Sequence, residues 1–260
     1  MTVNDSPGTG VADVVPLYTL DDATPMYRGG SGEPLVCLHG FGLTWHTWEL
    51  VLPALERHHD VLAVTLAGHS GGPPIVGEPG AAMFADGIGR AMDKAGFERA
   101  HIVGHSVGGF VALQLAALGR ALSVVALAPA GGWASEDDPA GEPLDYRAKM
   151  HRKAMNSPQL WSATEGMLKV AGLGSAVSAL PLLTDAVQGD WKLDAERITC
   201  PVRIMWGTAD QCLPWPAAAT RFYTAWLPDA DYVQLENVGH CPHIESPSTT
   251  AQRILEFTLA

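Results

Sequence analysis

The chain has 260 residues, of which 47% are hydrophobic and 17% charged, and its formal net charge is −12. These proportions are typical of a compact globular protein that buries a full core without disulfides or a structural metal. The acidic balance argues against nucleic acid and anionic membrane surfaces as partners.

No segment approaches the roughly 20 apolar residues of a membrane span, and residues 1–10 lack the apolar core of a signal peptide. We therefore expect a cytoplasmic protein. The four cysteines are scattered along the chain without metal-ligand spacing, so we expect free thiols and no metal site.

Apolar runs alternate with helical patterns along the first half of the chain, which predicts a mostly parallel sheet flanked by helices. The predicted strands are 14–20 and 25–27, a short antiparallel pair at a sheet edge, followed by 35–38, 61–66, 100–103 and 122–127. The predicted helices are 45–56, 81–95 and 109–116, and Gly96 is placed to end the second of them.

The alternation stops between about residues 131 and 196, where three helical patterns (145–155, 158–171 and 175–190) occur without an apolar strand. It returns with strands 202–206 and 232–235 and helices 216–226 and 247–259. We therefore predict an α/β core formed by residues 1–130 and 197–260, with residues 131–196 inserted as a helical cap. Such inserts usually cover the carboxyl ends of the strands, where ligands bind.

The segment Gly104-His105-Ser106-Val107-Gly108 has the pattern Gly-x-Ser-x-Gly between a predicted strand and a predicted helix. A serine on such a sharp turn is lifted out of the sheet in a strained backbone conformation, with glycines where strand and helix nearly touch. Ser106 is therefore the candidate nucleophile.

A serine hydroxyl needs an adjacent base, which is itself oriented by a carboxylate. Asp210 follows the predicted strand 202–206, and His240 follows the predicted strand 232–235. In proteins with a Gly-x-Ser-x-Gly turn of this kind, the acid follows the serine along the chain and the histidine follows the acid, which is the order found here. His243 is an alternative base, but Gly239 favours His240, and His243 is interpreted as a supporting or helix-start residue.

The tetrahedral intermediate needs hydrogen-bond donors for its oxyanion. The loop His39-Gly40-Phe41-Gly42 follows the buried strand 35–38. The backbone N–H groups of Phe41 and of Val107, the residue after the candidate nucleophile, are the expected pair of donors.

Together, His39-Gly40-Phe41-Gly42, Gly104-His105-Ser106-Val107-Gly108-Gly109, Gly207-Thr208-Ala209-Asp210 and Gly239-His240 resemble the α/β-hydrolase family in its capped, serine-nucleophile, esterase-like branch. The resemblance extends from about Pro16 onward. It implies the α/β-hydrolase fold, a triad of Ser106, Asp210 and His240, and no cofactor. The serine argues against the dehalogenase and epoxide-hydrolase branches, which use aspartate at that position.

The expected substrate is a small to medium apolar ester, and we expect Gly40, Trp45, His105, Trp133 and Trp161 to line its site. The tryptophans can equally belong to the core, and His105 can equally have an ordinary loop role. Alternatives that share the triad are C–C bond hydrolysis, perhydrolysis and hydroxynitrile lyase chemistry, and a ligand-binding receptor on a hydrolase scaffold is a further alternative. The oligomeric state stays open.

Overall fold

The computed structural model describes residues 26–69, 71–76, 80–132 and 192–260. The strands that it describes are β1 (Met26–Gly30), β2 (Glu33–Leu38), β3 (His59–Val64), β4 (Ala100–His105), β5 (Ala121–Leu127), β6 (Val202–Gly207) and β7 (Asp231–Leu235). They form one sheet in the order β1-β3-β2-β4-β5-β6-β7. β1 runs antiparallel to β3 and all the other pairs are parallel, which confirms the predicted mostly parallel sheet.

Helices cover both faces of this sheet. Helices α2 (Ala81–Ala95) and α3 (Val107–Ala117) contribute to the apolar cluster on one face, which contains Val36 and Leu38 of β2. Helices α1 (Leu52–Leu55) and α5 (Pro247–Thr258) contribute to the cluster on the other face, which contains Leu35 and Cys37. Because successive side chains of a strand point to opposite faces, a continuous apolar run such as β2 supplies both layers.

The predicted helix 81–95 agrees with α2, and Gly96 ends it in the left-handed conformation with φ 80°. The predicted helix 45–56 is wrong as a single element. The structure has a 3₁₀ turn at Trp45–Trp48 and then the short helix α1. A continuous helix would place Pro53 in its interior, where proline cannot donate the backbone hydrogen bond, whereas at the start of α1 none is needed.

The predicted helix 216–226 is also divided, into a 3₁₀ turn (Ala217–Ala219) and a π-helical turn (Phe222–Trp226). Trp226 packs against Phe222 and Phe110 with ring-centroid distances of 5.5 and 6.1 Å. The contact with Phe110 comes from another part of the fold, so a local sequence pattern does not report it. A short helix α4 (Pro242–Glu245) was not predicted.

The predicted strand 14–20 and residue 25 lie outside the described residues, and so do the three helices predicted for the insert. Of residues 131–196, the structure describes 131–132 and 192–196. The described ends contact the core, because Leu193 is buried in the cluster that contains α3 and the Gly132 carbonyl accepts the Arg221 N–H at 2.7 Å. The division into core and cap stays a prediction.

Candidate active site

The turn between β4 and α3 holds Ser106 with φ 52° and ψ −117°. A non-glycine residue in this region is strained by about 1–3 kcal/mol, so the surroundings must impose the conformation. The Ser106 N–H donates to the Leu127 carbonyl at 2.9 Å, and the Ser106 carbonyl accepts the N–H groups of Phe110 at 3.1 Å and Ala130 at 3.0 Å. These bonds to β5, to α3 and to the segment after β5 hold the predicted turn.

Two glycines of this turn are required by close approach of the backbone. A Cβ on Gly104 would lie 2.2 Å from the carbonyl oxygen of Gly108, where the strand passes the helix. A Cβ on Gly108 would lie 2.4 Å from the carbonyl oxygen of Leu38, at the end of β2. Both contacts are shorter than any side chain permits, so the Gly-x-Ser-x-Gly spacing follows from how strand, helix and neighbouring loop meet.

Asp210 and His240 lie together at the ends of β6 and β7. The His240 Nδ1–H donates to Asp210 Oδ2 at 2.8 Å, and both side chains are more than nine-tenths buried. The other carboxylate oxygen, Oδ1, accepts the N–H groups of Cys212 at 2.8 Å and Leu213 at 2.9 Å. Because the proton of a neutral ring then sits on Nδ1, His240 Nε2 is left as an acceptor, as a general base requires.

The loops that carry these two residues are joined by their backbones. The N–H of Thr208 donates to the Leu235 carbonyl, and the N–H of Ala209 to the Val238 carbonyl, both at 2.9 Å. A Cβ on Gly207 would lie 2.1 Å from the Val238 carbonyl oxygen. The small residue at the end of β6 therefore lets the loop after β7 lie directly over it.

The loop after β2 lies against Ser106. A Cβ on Gly40 would lie 3.2 Å from the Ser106 Cβ. The loop is held by His39, whose Nδ1–H donates to the Gly40 carbonyl at 2.7 Å while its Nε2 accepts the Leu66 N–H at 2.9 Å. Val107 is the first residue of α3, so its N–H has no acceptor within the helix, as an oxyanion donor requires.

The structure changes the interpretation of two predicted substrate contacts. Trp45 is buried in the cluster on the α1 and α5 face, where it stacks on Tyr27 at 5.5 Å between ring centroids, so it is a core residue. His105 is 2% exposed and bonds the His240 main chain, so its side chain is enclosed by protein. Both positions follow from tertiary packing, which spacing along the sequence does not show. Trp133 and Trp161 lie outside the described residues.

His243, the alternative base, is fully buried in α4. Its ring packs on Trp48 at 4.5 Å, and its Nε2 lies 2.8 Å from Thr47 Oγ1. Burial, with a smaller effect of His240, lowers the pKa of His243 to about 3. These contacts agree with the predicted supporting role, because His243 is bonded to a hydroxyl and His240 to a carboxylate.

Sequence reasoning missed Glu245, which binds the main chain on both sides of His240. Its Oε2 accepts the Gly239 N–H at 2.9 Å and its Oε1 accepts the Cys241 N–H at 3.1 Å. An acid five residues after a candidate histidine is an ordinary occurrence in a sequence, so the pattern alone carried no signal.

Within the described ranges, no group of three or more His, Cys, Asp or Glu side chains is arranged to hold a metal ion. Cys37, Cys200, Cys212 and Cys241 form no disulfide. None of the helices that the structure describes combines the length and apolar character needed to cross a membrane.

The family model of the alpha/beta hydrolase family matches residues 35–253. The epoxide hydrolase EphH of Mycobacterium tuberculosis is 29% identical over 203 residues, which are 68% of this chain and 94% of that protein. The dihydrolipoyllysine-residue acetyltransferase component of the acetoin cleaving system of Cupriavidus necator is 41% identical over 106 residues. That match covers 40% of this chain and only 28% of the relative's length. A thermophilic esterase from Thermogutta terrifontis superimposes with a TM-score of 0.75 at 20% identity, covering 91% of this chain and 93% of the esterase, which shows a shared fold.

Proposed function

Because this chain belongs to the alpha/beta hydrolase family, as its sequence predicted, we propose that it is a serine hydrolase of carboxylic esters or related acyl bonds. The proposed substrate is small to medium in size and apolar. The observation that carries the proposal is the buried His240–Asp210 pair at the sheet edge where the strained turn presents Ser106.

In the proposed reaction, Ser106 Oγ attacks the carbonyl carbon of the ester while His240 Nε2 accepts the hydroxyl proton. Asp210 keeps the ring in the Nδ1–H tautomer and stabilises the imidazolium that forms. The N–H groups of Phe41 and Val107 bind the oxyanion of the tetrahedral intermediate.

The intermediate collapses when the C–O bond to the alcohol breaks and the leaving oxygen takes the proton from His240. This step leaves an acyl-enzyme on Ser106. Water, deprotonated by His240, then attacks the acyl carbon, and the second tetrahedral intermediate releases the carboxylic acid and restores the serine hydroxyl. All protons are accounted for by His240, so the reaction needs no cofactor.

A serine at position 106 supports acyl chemistry over epoxide opening, despite the identity to an epoxide hydrolase. Ester hydrolysis needs a nucleophile that a neutral base activates and an oxyanion site beside it. The candidates here are Ser106 with His240 for the first and the N–H groups of Phe41 and Val107 for the second. The polypeptide enters the predicted cap beside the nucleophile, since the Ala130 N–H bonds the Ser106 carbonyl at 3.0 Å. This location supports a cap that covers the acyl group.

The test is a panel of p-nitrophenyl esters from acetate to octanoate, assayed with wild type and with Ser106→Ala. We expect Ser106→Ala to fold normally and to lose at least about three decades of kcat, because only oxyanion and binding contributions remain. A phosphonate probe should label Ser106 alone in the wild type. Absence of turnover on every ester, together with turnover of a dienone or a cyanohydrin, would replace ester hydrolysis by C–C hydrolysis or lyase chemistry.

A further inference from the structure

The main chain around His240 is bonded to side chains that take no part in the triad. Glu245 accepts the N–H groups of Gly239 and Cys241, the residues on either side of His240. His105 Nε2 lies 2.9 Å from the His240 carbonyl oxygen. Because that oxygen can only accept, His105 Nε2 carries the proton and donates it.

His105 lies where the three loops of the site meet. It directly precedes Ser106, its ring is 4.8 Å from the His240 ring, and a Cβ on Gly40 would lie 2.6 Å from its Nδ1. A single rigid ring thus separates the oxyanion loop from the loop that carries the base. Any change in its size or bonding alters the spacing between those loops.

The protonation state of His105 indicates that its Nε2–H is needed for the bond to the His240 carbonyl. Burial, with a smaller effect of His243, keeps the pKa of His105 well below its ordinary value, so the ring is neutral and carries one proton. Its Nδ1 is buried without a hydrogen-bond partner among the described residues. A buried unpaired acceptor lowers stability, and an apolar side chain of similar size avoids that cost. The bond to the His240 carbonyl is what an imidazole provides here and an apolar residue does not.

We propose that His105 and Glu245 are positioning residues, which together clamp the His240 main chain and hold its Nε2 in line with Ser106. This inference rests on the proposed function. Both side chains bond the main chain around His240, so weakening the clamp should lower kcat and leave KM nearly unchanged. A displacement of about 1 Å at a reacting group costs about 10²-fold in rate, which sets the upper end of the expected loss.

The test compares His105→Gln with His105→Met, two side chains of equal length of which only glutamine has an N–H at the ε position. We expect His105→Met to lower kcat about 10- to 100-fold with KM within about twofold, and His105→Gln to recover most of that loss. Glu245→Gln should also lower kcat, because its amide nitrogen cannot accept an N–H. Glu98→Gln, on an exposed acid, is the matched control and should leave kcat unchanged.

Equal losses in His105→Gln and His105→Met would show that His105 acts by packing, and a change in KM alone would place it at the substrate. Either result overturns the proposal. Histidine-selective ¹⁵N NMR gives a second measurement, which does not depend on turnover. His105 should be protonated on Nε2 and bare on Nδ1 at neutral pH, in wild type and in Ser106→Ala. The opposite tautomer or a doubly protonated ring overturns the clamp, even if ester hydrolysis is confirmed. Absence of ester turnover refutes the proposed function, but the tautomer of His105 can still be measured in that case.

Discussion

The two oxygens of Asp210 have different partners, and this makes Asp210→Asn a sharp test of the site. Oδ1 accepts hydrogen bonds from two backbone N–H groups, those of Cys212 and Leu213, and Oδ2 accepts one hydrogen bond, from the His240 Nδ1–H. An asparagine has one oxygen and one NH₂ group to place at these positions. Its oxygen should take the position with two donors, because an NH₂ group there would face two N–H groups and leave them unpaired in a buried site.

The asparagine NH₂ then points at His240 Nδ1 and can only donate to it. The ring must accept on Nδ1 and carry its proton on Nε2, where it faces Ser106 as a donor and cannot act as the base. The loss of this tautomer typically costs about 10⁴ in kcat, or about 5.4 kcal/mol of transition-state stabilisation. KM should change little, since Asp210 is buried behind His240.

The measurement is kcat and KM on p-nitrophenyl butyrate near pH 8, with Asp229→Asn on an exposed acid as the control. Thermal melting should show both variants folded, because the two backbone N–H groups keep an oxygen acceptor in Asp210→Asn. If Asp210→Asn keeps more than about a tenth of wild-type kcat, or if NMR shows the His240 proton still on Nδ1, the assigned roles of this pair are wrong.

His240→Ala should remove turnover as completely as Ser106→Ala, and the double mutant should be no worse than either, because the two groups act as one unit; a larger loss in His243→Ala would reassign the base. The buried His243 has a pKa of about 3 against an ordinary 6.5, so between these two pH values the unfolded state binds more protons than the folded state. The contribution of neutral His243 to the free energy of unfolding is therefore complete above about pH 6.5 and is lost as pH falls toward 3. The melting temperature of wild type should therefore fall more steeply between pH 6.5 and 4.5 than that of His243→Gln, and parallel curves would contradict this. Trp161→Ala should lower kcat/KM for octanoate more than for acetate, at about 0.8 kcal/mol per methylene no longer buried, whereas equal losses across the esters would indicate packing.

The elements that the sequence predicts correctly are those for which a local pattern carries the physical cause. β2 is apolar on both faces because helices cover both faces, and a continuous apolar run reports that burial directly. Gly104 and Gly108 are visible in the sequence because the close approach at the turn excludes every larger residue. Ser106 is therefore identifiable as the candidate nucleophile from the sequence alone.

Apart from the break before α1, the features that sequence reasoning missed depend on contacts between distant segments. Trp45 lies three residues after the predicted oxyanion loop, and its ring packs on Tyr27 of β1 in the cluster that contains Leu35 and Cys37, a contact that proximity in sequence does not report. The break before α1 could have been read from Pro53, whose missing N–H is a local signal. Glu245 and His105 act through backbone groups near His240, and backbone acceptors and donors leave no trace in residue identity.

Among the described residues, five imidazoles lie near the carboxyl edge of the sheet: His39, His69, His105, His240 and His243. What separates His240 from the other four is its partner, because it bonds a carboxylate while they bond backbone groups or a hydroxyl. Burial lowers the pKa of each of those four, so they stay neutral in the pH range where an ester hydrolase works. Neutral neighbours matter for the proposed base, since a charged imidazole 4.8 Å away would oppose the positive charge that His240 would acquire in the proposed reaction. The Asp210 carboxylate, 2.8 Å from His240 Nδ1, carries the opposite charge and would stabilise the imidazolium in the proposed reaction.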